Sequence, residues 1–180
     1  MFTPWYRPEK RSTICWGVNW MTKHTLSVTV ENRPGVLTKV ATLFRRRGYN
    51  IDSLTVGRTE SSDISRMTIV VEGDDRIIEQ VSKQLHKLVE VIKIIDITQD
   101  KAVERELSLI KVRADNTVRA EIVQIVDIFR ARIVDIGKNS LIIEVTGDEN
   151  KIDAIEDSLR PFGIIEMVRT GKVAMVRGNK

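Results

Sequence analysis

Residues 67–85 read MTIVVEGDDRIIEQVSKQL, and residues 141–159 read LIIEVTGDENKIDAIEDSL. Each stretch opens as an apolar run of strand character and reaches Gly-Asp. It then continues with apolar residues three and four apart, the stripe of an amphipathic helix. In the first stretch the stripe runs through Ile77, Ile78, Val81, Leu85 and on to Leu88, and apolar residues return at the same offsets in the second. Asp74-Asp75 and Asp148-Glu149 resemble paired catalytic carboxylates. Because they recur at both helix starts, capping and complementarity to the helix dipole explain them better.

Outward from this repeat, the rest of the chain also falls into two copies. His24–Glu31 alternates through Leu26, Val28 and Val30, as a half-buried strand does. Gly35–Arg47 spaces Val36, Leu37, Val40, Leu43 and Phe44 as a helix stripe, and Gly48 suits the helix end. Tyr49–Arg58 reads as a strand, 59–63 as a polar turn, Ile64–Glu72 and Val91–Ile97 as further strands. In the second copy Leu107–Arg113 reads like Leu26–Asn32, with Leu-Ser at the same place. A helix over Val118–Ala131, strands at Ile133–Lys138 and Leu141–Gly147, and a last strand at Ile164–Val168 extended by Lys172–Val176 complete it.

Two βαββαβ copies predict an α+β chain of two tandem ferredoxin-like domains, each a four-stranded antiparallel sheet with two helices on one face. The expected boundaries are 21–99 for the first domain and 107–180 for the second. The polar QDKAVERE run at 99–106 supplies a linker over 100–106. Such domains leave a sheet face and edge strands uncovered, so dimerisation or a partner is expected.

The 180 residues are 42% hydrophobic and 30% charged, a globular balance. No apolar run approaches the roughly 20 residues that span a bilayer, and no apolar segment follows the charged opening MFTPWYRPEKR. The single cysteine, Cys15, excludes an internal disulfide and suits a reducing, cytoplasmic setting. The net charge is +4, and half of it lies in the first twenty residues, where Arg7, Lys10 and Arg11 outnumber Glu9. The remainder is interspersed, which describes a solvated surface rather than a nucleic-acid face. Residues 1–20 also hold all three tryptophans and no sustained period. They read as an atypical, flexible extension, with Met21 as an alternative start and docking of the tryptophans as the competing expectation.

The corner Glu31–Leu37, ENRPGVL, offers chemistry as well as a turn. Pro34 suits the first helical position. Gly35 leaves first-turn amides approachable, and those amides and the dipole favour a carboxylate. Asn32 brings a donor and an acceptor. The plainer reading makes Asn32 the helix cap and Pro-Gly the corner, and both readings stand. The second copy has RADNTVRA at this place, without Pro-Gly, which favours a function for the first corner. Catalytic constellations are poor. His24 and His86 are far apart and read as surface residues, and no metal-ligand set or nucleophilic triad can be assembled. Arg45-Arg46-Arg47 close a helix, where cations complement the dipole. Ile64–Glu72 lacks the aromatics on which RNA-recognition sheets stack bases.

ENRPGVL, FRRRGYNIDSLTVG, SRMTIVVEGDD, QLHKLVEVIKIID and the C-terminal RTGKVAMVRG resemble the small, regulatory subunits of acetolactate (acetohydroxyacid) synthase, from Met21 to about Gly178. The resemblance implies an N-terminal ACT domain followed by an ACT-like regulatory domain. It implies a non-catalytic chain that activates a large catalytic subunit and confers feedback inhibition by valine or a related branched-chain amino acid. Thiamin diphosphate, Mg2+ and FAD would belong to the catalytic partner, and none to this chain. A homodimer through the ACT domains would bind the effector, with Asn32, Gly35, Val36 and Leu37 from one protomer and Asn50 and Ile51 from the other. Neither nucleic acid nor membrane is implied as a partner. A stand-alone amino-acid sensor and an RNA-binding ferredoxin-like protein are the alternative readings.

Overall fold

The computed structural model describes residues 22–178, so the expectations for residues 1–20 lie outside the described residues. The first copy runs β1 (Thr22–Glu31), α1 (Val36–Arg47), β2 (Ile51–Arg58), β3 (Ile64–Gly73), α2 (Asp75–Leu85) and β4 (Val91–Asp96). The second runs β5 (Ala102–Arg113), α3 (Arg119–Ile128), β6 (Arg132–Ile136), β7 (Ser140–Gly147), α4 (Glu149–Leu159) and β8 (Ile164–Arg169), followed by β9 (Val173–Val176). The strand orders are β2-β3-β1-β4 and β6-β7-β5-β8, antiparallel throughout. These are the two ferredoxin-like domains that the repeat predicts.

Each helical stripe closes its own core. Val36, Val40 and Phe44 of α1 and Ile78, Val81 and Leu85 of α2 pack on Leu26, Val28, Met67, Ile69 and Val71. In the second domain Ile122, Val126, Ile152, Ile155 and Leu159 pack on Ile110, Val112, Leu141, Ile143 and Val145. The Gly-Asp corners cap as expected: Asp74 accepts from the Ile77 amide at 2.8 Å and Asp148 from the Lys151 amide at 2.9 Å. Gly48, at φ 69°, ends α1 directly behind its three arginines.

Three readings change. The Leu-Ser match between Leu26 and Leu107 is out of phase. Leu26 lies opposite Ile69 and Ile110 opposite Ile143, so Leu26 corresponds to Ile110; Leu26 and Ser108 are both fully buried. An odd shift in a strand exchanges its faces, and two identical letters do not outweigh that. The linker at 100–106 is not one either, because β5 starts at Ala102 and leaves only 97–101 between the domains. Its charges disguise a strand: Glu104 pairs with Lys172 at 3.0 Å and Glu106 with Arg169 at 2.9 Å. Even the short connection is fixed, with Ile97 buried and its amide bonded to the Thr25 carbonyl. His24 is not a surface residue. It is 5% exposed, with Nδ1 3.4 Å from Asp96 and Nε2 2.9 Å from the Thr22 hydroxyl.

β9 continues β8 along β5. Ser108 pairs with Arg169 and Arg105 with Val173, a register that steps by one residue across Thr170-Gly171-Lys172. This bulge lies on β2 of the first domain, where the Lys172 amide donates to Ser53 Oγ at 3.0 Å. Gly171 sits so close that a Cβ there would be 2.9 Å from the Leu54 carbonyl oxygen. The β5–β9 ribbon therefore covers part of the first sheet's helix-free face from within the same chain.

Candidate functional site

The corner between β1 and α1 is built differently from either reading of its sequence. Gly35, at φ 85° and ψ −10°, is itself the residue preceding α1, and no side chain caps the helix. Pro34 stands two places before the first helical residue, Val36, rather than at that position. Asn32 is not the cap. Its Nδ2 donates to the Ser62 carbonyl at 2.8 Å, and its backbone amide donates to the Asp63 carbonyl at 2.7 Å. This ties the corner to the β2–β3 turn and leaves Asn32 Oδ1 as an acceptor. Only glycine adopts a φ of 85° without the steric penalty of a Cβ.

The first turn of α1 holds no acidic residue. The Lys39 amide bonds to the Gly35 carbonyl at 2.9 Å, and the Val36 amide reaches Arg33 only at 3.4 Å. Among the described residues the Leu37 and Thr38 amides have no partner. Val36 is buried in the core, so it offers the corner its backbone rather than its side chain, whereas Leu37 is 43% exposed. Below the corner Lys39 binds Glu90, which holds the Glu90 carboxyl below its usual range.

Asn50 and Ile51 lie past the other end of the same helix. Residues 38–47 of α1 separate the two groups, about 15 Å at the helical rise. One chain therefore does not bring the six residues together. Ile51 begins β2, one of the two edge strands of the first sheet.

The equivalent corner, between β5 and α3, is closed. Asp115 Oδ1 accepts from the Thr117 amide at 2.8 Å, from the Val118 amide at 3.2 Å and from the Thr117 hydroxyl. Those bonds lower the Asp115 pKa, the Thr117 hydroxyl first. The Arg119 guanidinium fills the remaining space, donating to the carbonyls of Ala114, Gly137 and Lys138 at 2.9–3.0 Å.

A second arrangement, absent from the sequence reading, lines the junction of the domains. Lys23 Nζ lies 3.0 Å from both Asp52 and Glu149, and these bonds, Glu149 first, raise its pKa. Arg169 joins Glu106 and Asp153, and Lys172 joins Glu104. No sequence signal pairs Lys23 with a residue 126 positions away. Among the described residues no cluster of three or more His, Cys, Asp or Glu side chains is placed to hold a metal ion. No helix among them is long and apolar enough to cross a membrane.

Comparison with known proteins places both halves of the chain. Residues 26–93 match the family described as the AHAS small subunit-like ACT domain, and residues 105–178 match that described as the small subunit of acetolactate synthase. A probable acetolactate synthase small subunit of Archaeoglobus fulgidus is 65% identical over 88% of this chain and 99% of its own length. The acetolactate synthase small subunit of Mycolicibacterium smegmatis is 54% identical over 86% of this chain and 91% of its own. The crystal structure of the acetolactate synthase small subunit from Thermotoga maritima superimposes with a TM-score of 0.82 at 47% identity. That match covers 89% of this chain and all of that one.

Proposed function

The chain belongs to the family of acetolactate synthase small subunits, and from that premise we propose that it is the non-catalytic, regulatory partner of a separate catalytic chain. It raises the activity of that chain and makes it answer to valine or a related branched-chain amino acid. The catalytic chain joins 2-ketoacids with thiamin diphosphate, Mg2+ and FAD, and the assembly works in the cytoplasm, in keeping with a single cysteine.

The effector site consists of Asn32, Gly35, Val36 and Leu37 from one protomer and Asn50 and Ile51 from another. The observation that carries this reading is the open start of α1: no acidic side chain in its first turn and two amides without partners among the described residues. Such a helix start favours an external carboxylate by its amides and its dipole. The Asn32 acceptor suits the ammonium, and the exposed Leu37 suits an aliphatic side chain. The span of α1 keeps Asn50 and Ile51 away, so a second copy must supply them. The outer edge of β2, unpaired among the described residues, is the natural seam of a homodimer.

The test is reconstitution with the catalytic chain. The mixture should exceed the catalytic chain's own rate and lose the excess as valine is added, while this chain alone makes no acetolactate. Carboligation by the purified chain alone, or a mixed enzyme indifferent to every branched-chain amino acid, would overturn the reading.

A further inference from the structure

Between the two domains lies a slot of about 340 Å³, within the size range of small-molecule sites. One wall is the helix-free face of the first sheet, with Thr55, Arg66 and Thr68; the other is the β5–β9 ribbon, with Val103, Arg105 and Ala174. Arg58 stands at the rim. The lining holds three arginines and neither Asp nor Glu. None of the three forms an ion pair among the described residues; Arg105 donates only to the Glu104 carbonyl, at 2.6 Å. Arg66 Nε and Thr55 Oγ1 are buried without a hydrogen-bond partner among the described residues.

The neighbouring charged cleft shows the contrast, since each of Lys23, Arg169 and Lys172 meets a carboxylate there. In the slot, three like charges meet no carboxylate among the described residues, and the buried Arg66 Nε is an unmet donor that costs stability until an acceptor arrives. The walls select among anions. Val103, Ala174, Val173 and Met175 are apolar, so a bare inorganic ion leaves them unfilled. A zwitterion would set its ammonium beside guanidinium groups with no acid to receive it. We propose that this slot binds a small aliphatic carboxylate lacking an amino group, at a site separate from the α1 corner. Because each domain forms one wall, an occupant would tie the two together.

The test uses the full chain, 15N-labelled, titrated with sodium 4-methylpentanoate. The Arg66 Nε–H signal and the amides of Thr68, Val103 and Ala174 should shift and saturate, with those of Leu37 and Thr38 unmoved. Arg66→Lys, which keeps charge and fold but loses the Nε donor, should weaken binding at least tenfold, and Arg105→Ala likewise. 4-Methylpentan-1-ol should cause no saturating shift. The proposal fails if millimolar carboxylate produces no saturation, or if sodium chloride reproduces the shifts. It fails equally if the alcohol binds as well as the acid, or if the Arg66→Lys protein binds unchanged.

Discussion

At the first corner Gly35 turns the chain into α1 and no side chain crosses the helix start, whereas at the second Asp115 reaches over two amides and Arg119 closes the space behind. The two corners have the same place in the same fold. The backbone arms match: Asn32 donates to Asp63 as Ala114 donates to Asn139. What differs is the source of the negative charge. The second corner carries its own carboxylate, and the first has room for one. Asp115 thus shows, inside this molecule, a carboxylate held by two consecutive amides, here Thr117 and Val118 in the turn before α3, as an effector's carboxylate is proposed to be held by those of Leu37 and Thr38.

The sharpest way to break that comparison is to give the first corner a carboxylate of its own. Gly35→Asp should abolish feedback by the branched-chain amino acid while leaving activation of the catalytic chain in place. Gly35→Asn is the matched control, because Asn and Asp both tolerate a left-handed backbone and differ in charge. A Cβ at Gly35 meets nothing within 4 Å, so backbone strain and charge, not crowding inside the chain, govern the result. Valine titration of the two reconstituted variants should show the asparagine form retaining measurable inhibition. Equal behaviour of the two would remove charge from the argument.

A smaller effect is expected from the asparagines. Asn32→Ala and Asn50→Ala should each raise the valine concentration for half inhibition roughly ten- to a hundredfold, the loss of one hydrogen bond to a charged group of about 1.5–3 kcal/mol. Mixing the two single variants sharpens the claim of a shared site. In an Asn32→Ala/Asn50→Ala heterodimer one site loses both groups and the other keeps both, so a fraction of wild-type-like sites should return. Continued weakness across all mixtures would mean that the two asparagines act from one chain.

The fold was legible because the repeat imposes two periods at once, and the capping of Asp74 and Asp148 followed from their recurrence. The corner was only half legible. Its open character could be read from Pro34-Gly35 against Asp115-Asn116, but the occupation of Asn32 by the Ser62 carbonyl depends on a turn thirty residues away. Glu104 and Glu106 made a strand look like a linker, since their partners Lys172 and Arg169 lie far along the chain. The closeness of Gly171 to β2 had no sequence signal beyond glycine itself.

That closeness gives a third prediction, which asks whether the two copies respond as one body. Gly171→Val must push the ribbon off Ser53 and Leu54, at a cost of about 1–3 kcal/mol for overpacking. Calorimetry should show a lower or split transition, and an unchanged single transition would mean that the ribbon does not hold the first sheet.

The smallest effect belongs to the closed corner. Asp115→Ala should lower the melting temperature by a few degrees at neutral pH, through loss of its bonds to the Thr117 and Val118 amides and the Thr117 hydroxyl. The Asp115 pKa is depressed in the folded chain, so its contribution is present above the unfolded value, about 3.9, and is lost as pH falls through the folded one. The gap between wild type and variant should therefore close in acid. A gap independent of pH would assign the effect to packing instead.

The most direct measurement is a crystal structure of the chain with valine. The account predicts the valine carboxylate within hydrogen-bonding distance of the Leu37 and Thr38 amides, Asn50 of a second protomer beside it, and no valine at Asp115 and Arg119. Valine at the second corner, or a first corner left vacant under valine that fully inhibits the reconstituted enzyme, would contradict it.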